Sequence, residues 1–134
     1  MRRTNAPRYL WSACLAYQTE PFHSQAVRAY QAAQVRVTHS YVLAEYVALA
    51  TARRFLRLPM LEYLEDLMDN PDIDLFWVDE RLHREASALL LARPDKGYSL
   101  CDAVSFVIMR QRNLYEALTT DKHFEQEGFI RLLT

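Results

Sequence analysis

Three carboxylate side chains of this sequence lie in apolar surroundings, where an ionised group is costly to bury. Asp102 is the only charged residue in the segment 98–109, and Glu45 is the only one in the segment 41–50. Asp121 follows a short strand-like segment. A carboxylate in such a setting needs a hydrogen-bond donor, a cation or a metal ion. Because the three acids are far apart along the chain, we predict that folding assembles them into one metal site.

Two of the three acids also have a structural alternative. Asp102 comes three residues after Ser99, which is the spacing of a helix capping box. Asp121 fits an Asx turn or a helix N-cap. Glu45 has no helical partner four residues away, since apolar side chains occupy both positions. A capping role does not exclude metal binding, because helix N-termini at the carboxyl ends of strands are also where sites form in α/β proteins.

Carboxylate oxygens are the ligands that Mg²⁺ and Mn²⁺ prefer. Such an ion can orient a water molecule and neutralise charge on a phosphodiester. The sequence therefore favours hydrolysis of a phosphodiester over nucleophilic catalysis by serine or cysteine. The histidines lack the spacing of zinc ligands and are predicted to be surface or helix-end residues; they are His23, His39, His83 and His123.

The composition predicts one ordinary soluble domain spanning residues 1–134. The chain is 51% hydrophobic and 25% charged, and its apolar runs are shorter than the ~20 residues of a membrane span. A net charge of −1 argues against binding nucleic acid through a general positive field. Cys14 and Cys101 lie in apolar segments and are predicted to be free thiols of a cytoplasmic protein.

Arginine far outnumbers lysine, and two groups of arginines fall at predicted helix ends. These groups are Arg53, Arg54 and Arg57, and Arg110 and Arg112. Two interpretations stay open: contact with phosphate groups, which the planar guanidinium suits, or simple complementation of the helix dipole.

The elements that must position the acids alternate between short strands and longer helices. Helices are predicted over residues 22–34, 40–55, 59–68, 79–92 and 99–112, and strands over 35–38, 73–78, 116–119 and 129–133. Thr38 or Ser40 is expected to cap the second helix, and Asp79 the fourth. This alternation predicts a layered α/β domain with parallel strands. Residues 1–11 are atypical, because a Val/Ile-rich opening strand is missing from them.

The blocks SLCDAVSFVIMRQR and EALTTDKHFEQEGF, together with SYVLAE at residues 40–45, resemble the PIN-domain family, particularly VapC-like ribonuclease toxins. The resemblance implies a three-layer α/β/α fold with a short, mainly parallel sheet. It implies that Glu45, Asp102 and Asp121 are the catalytic residues and ligands of Mg²⁺ or Mn²⁺ for RNA cleavage. It also implies an RNA substrate, an antitoxin protein partner, a homodimer and no membrane association.

One position departs from the family pattern. The family opens with an apolar strand that ends in an Asp, and the corresponding position here is Leu10, followed by Trp11. The central strand and one of four acidic ligands are therefore predicted to be lost. Two explanations stay open: degeneration into an inactive RNA- or protein-binding module, or an incorrect start of the reading frame. A purely structural domain is a third alternative.

Overall fold

The computed structural model describes residues 8–11 and 23–133, and in this part of the chain short strands alternate with helices. The strands are β1 (Arg8–Trp11), β2 (Val35–His39), β3 (Ile73–Phe76), β4 (Glu116–Leu118) and β5 (Ile130–Arg131). The helices are α1 (His23–Ala32), α2 (Ser40–Ala52), α3 (Arg57–Asp69), α4 (Glu80–Ala92), α5 (Leu100–Arg112) and α6 (His123–Gln126). Helices α1 to α5 and the last four strands lie where the sequence pattern predicts them, with ends that differ by a few residues. The short helix α6 was not among the predicted helices.

The strands form one parallel sheet in the order β3-β2-β1-β4-β5. Strand β1 is at the centre, where Leu10 pairs with Val37 of β2 on one side and with Ala117 of β4 on the other. Helical connections allow consecutive strands to run in the same direction. The predicted α/β class with a short, mainly parallel sheet is confirmed.

Helices cover both faces of this sheet. On one face, Leu10, Val37 and Ala117 pack with residues of α4 and α5, including Ala86 and Phe106. On the other face, Leu118 packs with Ala26 of α1, Ile73 and Leu133. Neighbouring residues of a strand point to opposite faces, so Ala117 and Leu118 belong to different core clusters. The predicted three-layer α/β/α arrangement is confirmed.

The sequence pattern predicts that the central strand is lost, and this prediction is wrong. Strand β1 is present, and the Leu10 side chain is only 1% exposed. The strand has four residues and no Val or Ile, so its own pattern is weak. Pairing on both sides supplies the backbone hydrogen bonds that hold it, and burial of Leu10 adds the apolar contact.

The start of α2 also differs from expectation. Its N-cap is His39, whose side chain makes no capping hydrogen bond, and not Thr38 or Ser40. The Ser40 hydroxyl instead accepts from the backbone N–H of Val78 at 2.9 Å, which ties α2 to the segment before α4. Asp79 caps α4 as predicted, since its Oδ1 accepts from the backbone N–H of Leu82 at 2.8 Å.

A buried carboxylate, Glu127, joins the ends of three elements. Its side chain is 3% exposed and forms ion pairs with Arg93, at the end of α4, and Arg110 of α5. The Tyr98 hydroxyl donates to the same carboxylate at 3.3 Å. Burial raises the pKa of Glu127, but the two guanidinium groups outweigh burial, and the pKa lies below its usual range. This clamp fixes the segment 93–99, from which α5 begins.

We expect Glu127→Gln to lower the free energy of unfolding by about 2 kcal/mol, less than for a fully buried pair because both arginines are partly solvated. Glu80→Gln is the matched control, since Glu80 pairs with Arg84 on the exposed face of α4. It should change stability by less than about 0.5 kcal/mol. Urea denaturation monitored by circular dichroism measures both, and equal effects would contradict the clamp.

Candidate functional site

The candidate site lies at the carboxyl ends of β1, β2 and β4. The neighbours of β1 are β2 on one side and β4 on the other, so the strand order changes direction between β1 and β4. In open parallel sheets such a point forms a crevice that is used for binding. Two predicted site residues, Asp102 and Asp121, lie here, on the first turn of α5 and just after β4.

Asp102 is oriented by the capping box at the start of α5. The Ser99 hydroxyl accepts from the backbone N–H of Asp102 at 3.0 Å, and Oδ2 of Asp102 accepts from the backbone N–H of Ser99 at 3.1 Å. The side chain of Asp102 is 14% exposed. The capping role expected from the spacing is therefore present, and it holds the carboxylate in one orientation at the helix N-terminus.

Asp121 is oriented by a tight turn. Its Oδ1 accepts from the backbone N–H of His123 at 2.9 Å, and its own N–H donates to the Thr119 hydroxyl at 3.1 Å. This is the Asx turn that the sequence offered as the structural alternative. The turn leads into α6, and the carboxylate is 39% exposed.

His123 links the two aspartates, and sequence reasoning missed it. Its Nδ1 lies 3.1 Å from Oδ2 of Asp102 and 3.4 Å from Oδ1 of Asp121. Donor atoms of the three residues lie within 4.8 Å of one another. The imidazole also packs edge-on against Tyr98, with ring centroids 5.2 Å apart. The sequence signal was its place two residues after Asp121, which zinc-type spacing rules do not detect.

Glu45 is placed differently from the two aspartates. It is exposed, so the prediction that it lies in a costly apolar setting is wrong. Its side chain hydrogen-bonds to the Cys101 thiol, and the residue next to Cys101 is Asp102. Burial raises the pKa of that thiol, and the charges of Glu45 and Asp102 raise it further. The thiol therefore stays protonated, and Glu45 lies beside the start of α5 without joining the Asp102–Asp121–His123 group.

A buried histidine, His39, lies at the same edge of the sheet and contacts α5. It is fully buried at the end of β2, and its Nε2 lies 2.8 Å from the Ser105 hydroxyl. The Ser105 hydroxyl also donates to the Cys101 carbonyl at 3.1 Å, which joins His39 to the first turn of α5. The helix-end position predicted for this histidine is confirmed, but a surface location is wrong. Burial lowers its pKa to about 4, and it is neutral at pH 7.

The arginines and cysteines singled out in the sequence have different outcomes. Arg110, a candidate for phosphate contact, forms an ion pair with Glu127, and the Cζ atom of Arg112 lies 4.4 Å from the ring centre of Phe76. Cys101 is a free thiol, as expected, while Cys14 lies outside the described residues. Within residues 8–11 and 23–133, no helix has the length and apolarity needed to cross a membrane.

Comparison with known proteins identifies the class to which this arrangement belongs. The family model for the PIN domain matches residues 11–129. A solved structure with the same fold is that of VapC20 from Mycobacterium tuberculosis, described as a toxin that cleaves the sarcin–ricin loop. It superposes with a TM-score of 0.84 at 23% sequence identity, over 94% of this chain and 99% of the other. A search of curated proteins returned no match.

The chain therefore belongs to the PIN-domain family, as the sequence blocks predicted. The family match begins at residue 11, one position after Leu10.

The low pKa of His39 predicts a dependence of stability on pH. The folded-state pKa is about 4 and the ordinary value is 6.5, so the stabilisation is present above pH 6.5 and is lost as the pH falls towards 4. Between pH 7 and pH 5 the loss is about 2 kcal/mol. His39→Gln should remove this part of the dependence in urea titrations with EDTA. The exposed His83→Gln should keep it, and an unchanged slope in His39→Gln would contradict the assignment.

Proposed function

We propose that this protein is a divalent-metal-dependent endoribonuclease of the PIN-domain type and the toxin of a toxin–antitoxin pair. The observation that carries the proposal is that Asp102 and Asp121, which lie 19 positions apart in the sequence, come together at the carboxyl edge of the sheet. The likeness to VapC20 supports it. The single-domain organisation of residues 1–134, the cytoplasmic location and the homodimer belong to the same proposal.

The donor set fits a divalent ion. Among the described residues, Oδ1 of Asp102 and Oδ2 of Asp121 make no hydrogen bond, so each carboxylate has an oxygen available. Both residues are half-buried, which favours binding an ion over leaving two charges close together. Asp102 and Asp121 would hold the ion, with Glu45 reaching it from α2. The bound ion would supply charge neutralisation at a phosphodiester and activation of water.

The protein's own residues would orient this chemistry. The capping box sets the direction of Asp102, and the Asx turn sets that of Asp121, so neither carboxylate has to be ordered when an ion binds. Glu45 is exposed and hydrogen-bonds to the Cys101 thiol beside Asp102, so a turn of its side chain would bring it towards an ion. RNA is the proposed substrate, and an antitoxin protein is the proposed partner.

A second candidate function rests on Leu10. This residue occupies the family position of an acidic ligand and is 1% exposed in the core. A site with one ligand fewer binds its ion more weakly, so a PIN-like module that binds RNA or a protein without cleavage is the alternative. Leu10 favours it, and the convergence of the two aspartates favours the nuclease.

We expect RNA cleavage that requires Mn²⁺ or Mg²⁺ and stops when EDTA is added. Asp102→Asn should lower the rate at least about 100-fold, because even groups that only support a ligand contribute 10- to 100-fold. Cleavage of a structured RNA, followed by gel electrophoresis, measures the rate. The substitution keeps the size of the side chain and its position in the capping box.

Asp95→Asn is the matched control, because Asp95 is exposed in the segment before α5 and should leave the rate unchanged. Absence of cleavage with either ion, in protein that binds RNA, would favour the inactive module. Metal-dependent cleavage that survives in Asp102→Asn would contradict the role of Asp102.

The family position of Leu10 generates a further prediction. Leu10→Asp should lower the unfolding temperature in EDTA, since it places a carboxylate in the core, and Mn²⁺ should raise that temperature by more than in the wild type. Leu114→Asp is the control: Leu114 is also 1% exposed but precedes β4, at the opposite edge of the sheet. Thermal unfolding with and without Mn²⁺ measures both, and equal Mn²⁺ shifts would show that position 10 does not reach the ion.

A further inference from the structure

We propose that His123 is a ligand of the ion, so that the site binds through two aspartates and one imidazole and prefers Mn²⁺ to Mg²⁺. This inference rests on the proposed function only in using the same metal site. It concerns a residue for which the family resemblance supplied no role.

The spacing of the donor atoms supports coordination by His123. An octahedral ion with ligand distances of about 2.1 Å separates adjacent ligand atoms by about 3 Å. His123 Nδ1 lies 3.1 Å from Oδ2 of Asp102 and 3.4 Å from Oδ1 of Asp121. The Nδ1 atom is therefore about one ligand–ligand separation from each carboxylate group, and the second oxygen of each carboxylate, which makes no hydrogen bond among the described residues, is available to the same ion.

The position of the ring is fixed before an ion arrives. The backbone N–H of His123 donates to Asp121, and the ring packs edge-on against Tyr98 at an interplanar angle of 66°. The side chain of His123 is 31% exposed, so solvent reaches it. As a metal ligand, the ring would carry its proton on Nε2 and offer the Nδ1 lone pair to the ion.

The chemical type of the ligand atoms determines whether the site prefers Mn²⁺ or Mg²⁺. Mg²⁺ is a hard ion that favours an all-oxygen set, whereas imidazole nitrogen favours transition metals. With leucine at position 10, the site has also lost one negative charge relative to the family pattern, which weakens attraction for either ion. A nitrogen ligand compensates selectively, because it strengthens binding of Mn²⁺ more than binding of Mg²⁺.

Calorimetric titration of EDTA-treated, dialysed protein with Mn²⁺ and with Mg²⁺ tests the proposal. We expect the wild type to bind Mn²⁺ at least about tenfold more tightly than Mg²⁺, and His123→Ala to weaken Mn²⁺ binding about 10- to 100-fold while changing Mg²⁺ binding less than about threefold. His123→Asp should move the preference towards Mg²⁺. His83→Ala, a substitution of an exposed histidine bonded to Tyr41, should change neither affinity.

Pulsed electron paramagnetic resonance of the Mn²⁺-loaded wild type provides a second measurement that does not depend on how the variants fold. A nitrogen coupling from directly bound imidazole is expected, and it should vanish in His123→Ala. Absence of that coupling in the wild type, or an unchanged ratio of Mn²⁺ to Mg²⁺ affinity in His123→Ala, would overturn the proposal. Both readouts are independent of RNA cleavage, so an inactive protein that shows them would contradict the proposed function and leave this inference standing.

Discussion

A capping box formed by Ser99 and Asp102 holds the N-terminal turn of α5. The carboxylate of Asp102 also contacts His123, so it takes part in both the helix cap and the candidate site. Its charge is favourable there, because the unpaired N–H groups of the first helical turn carry partial positive charge. The same interaction therefore begins the helix and orients the group that would hold an ion. Helix α5 packs against α4 and the central strands, so the position of the crevice follows from the position of this cap.

Bringing a second carboxylate to the cap creates repulsion that the fold must offset. Asp121 reaches the crevice because β4 ends there and the Asx turn redirects the chain. His123, at the start of α6, is interposed between the two acids at hydrogen-bonding distance from Asp102. The imidazole nitrogen can donate a hydrogen bond or offer a lone pair, so the same atom can contact the carboxylates directly or bind a metal ion beside them.

Local spacing made much of the fold and half of the site predictable. The capping box of Ser99 and Asp102, the cap at Asp79 and the Asx turn at Asp121 each involve residues within three positions, and all are present. Contacts between distant segments were not predictable in this way. His123 meets Asp102 across 21 positions, and Glu127 meets Arg93 across 34, and both pairings depend on how α5, α6 and the preceding segment pack.

Two incorrect predictions, for Glu45 and for strand β1, each have a separate physical cause. Glu45 was placed in an apolar setting because its sequence neighbours are apolar, but two of those neighbours, Ala44 and Ala48, are themselves exposed. Alanine favours helices for reasons of entropy as well as burial, so it does not mark a buried face. Strand β1 escaped detection because its stability comes from two neighbouring strands, not from its own composition.

Leu10 links the stability of the sheet to the chemistry of the crevice. At the centre of a five-stranded sheet, an acidic side chain would lie among apolar neighbours and would need an ion to compensate its charge. Leucine removes that requirement and adds apolar contact with both flanking strands, so the metal-free fold gains stability. A site with fewer acids would attract an ion less strongly, and the proposed nitrogen ligand His123 would offset part of that difference. Burial of Leu10 in the core and the imidazole beside the two aspartates therefore separate two requirements: the fold needs no ion at position 10, and binding of an ion would depend on the donor atoms of the proposed site.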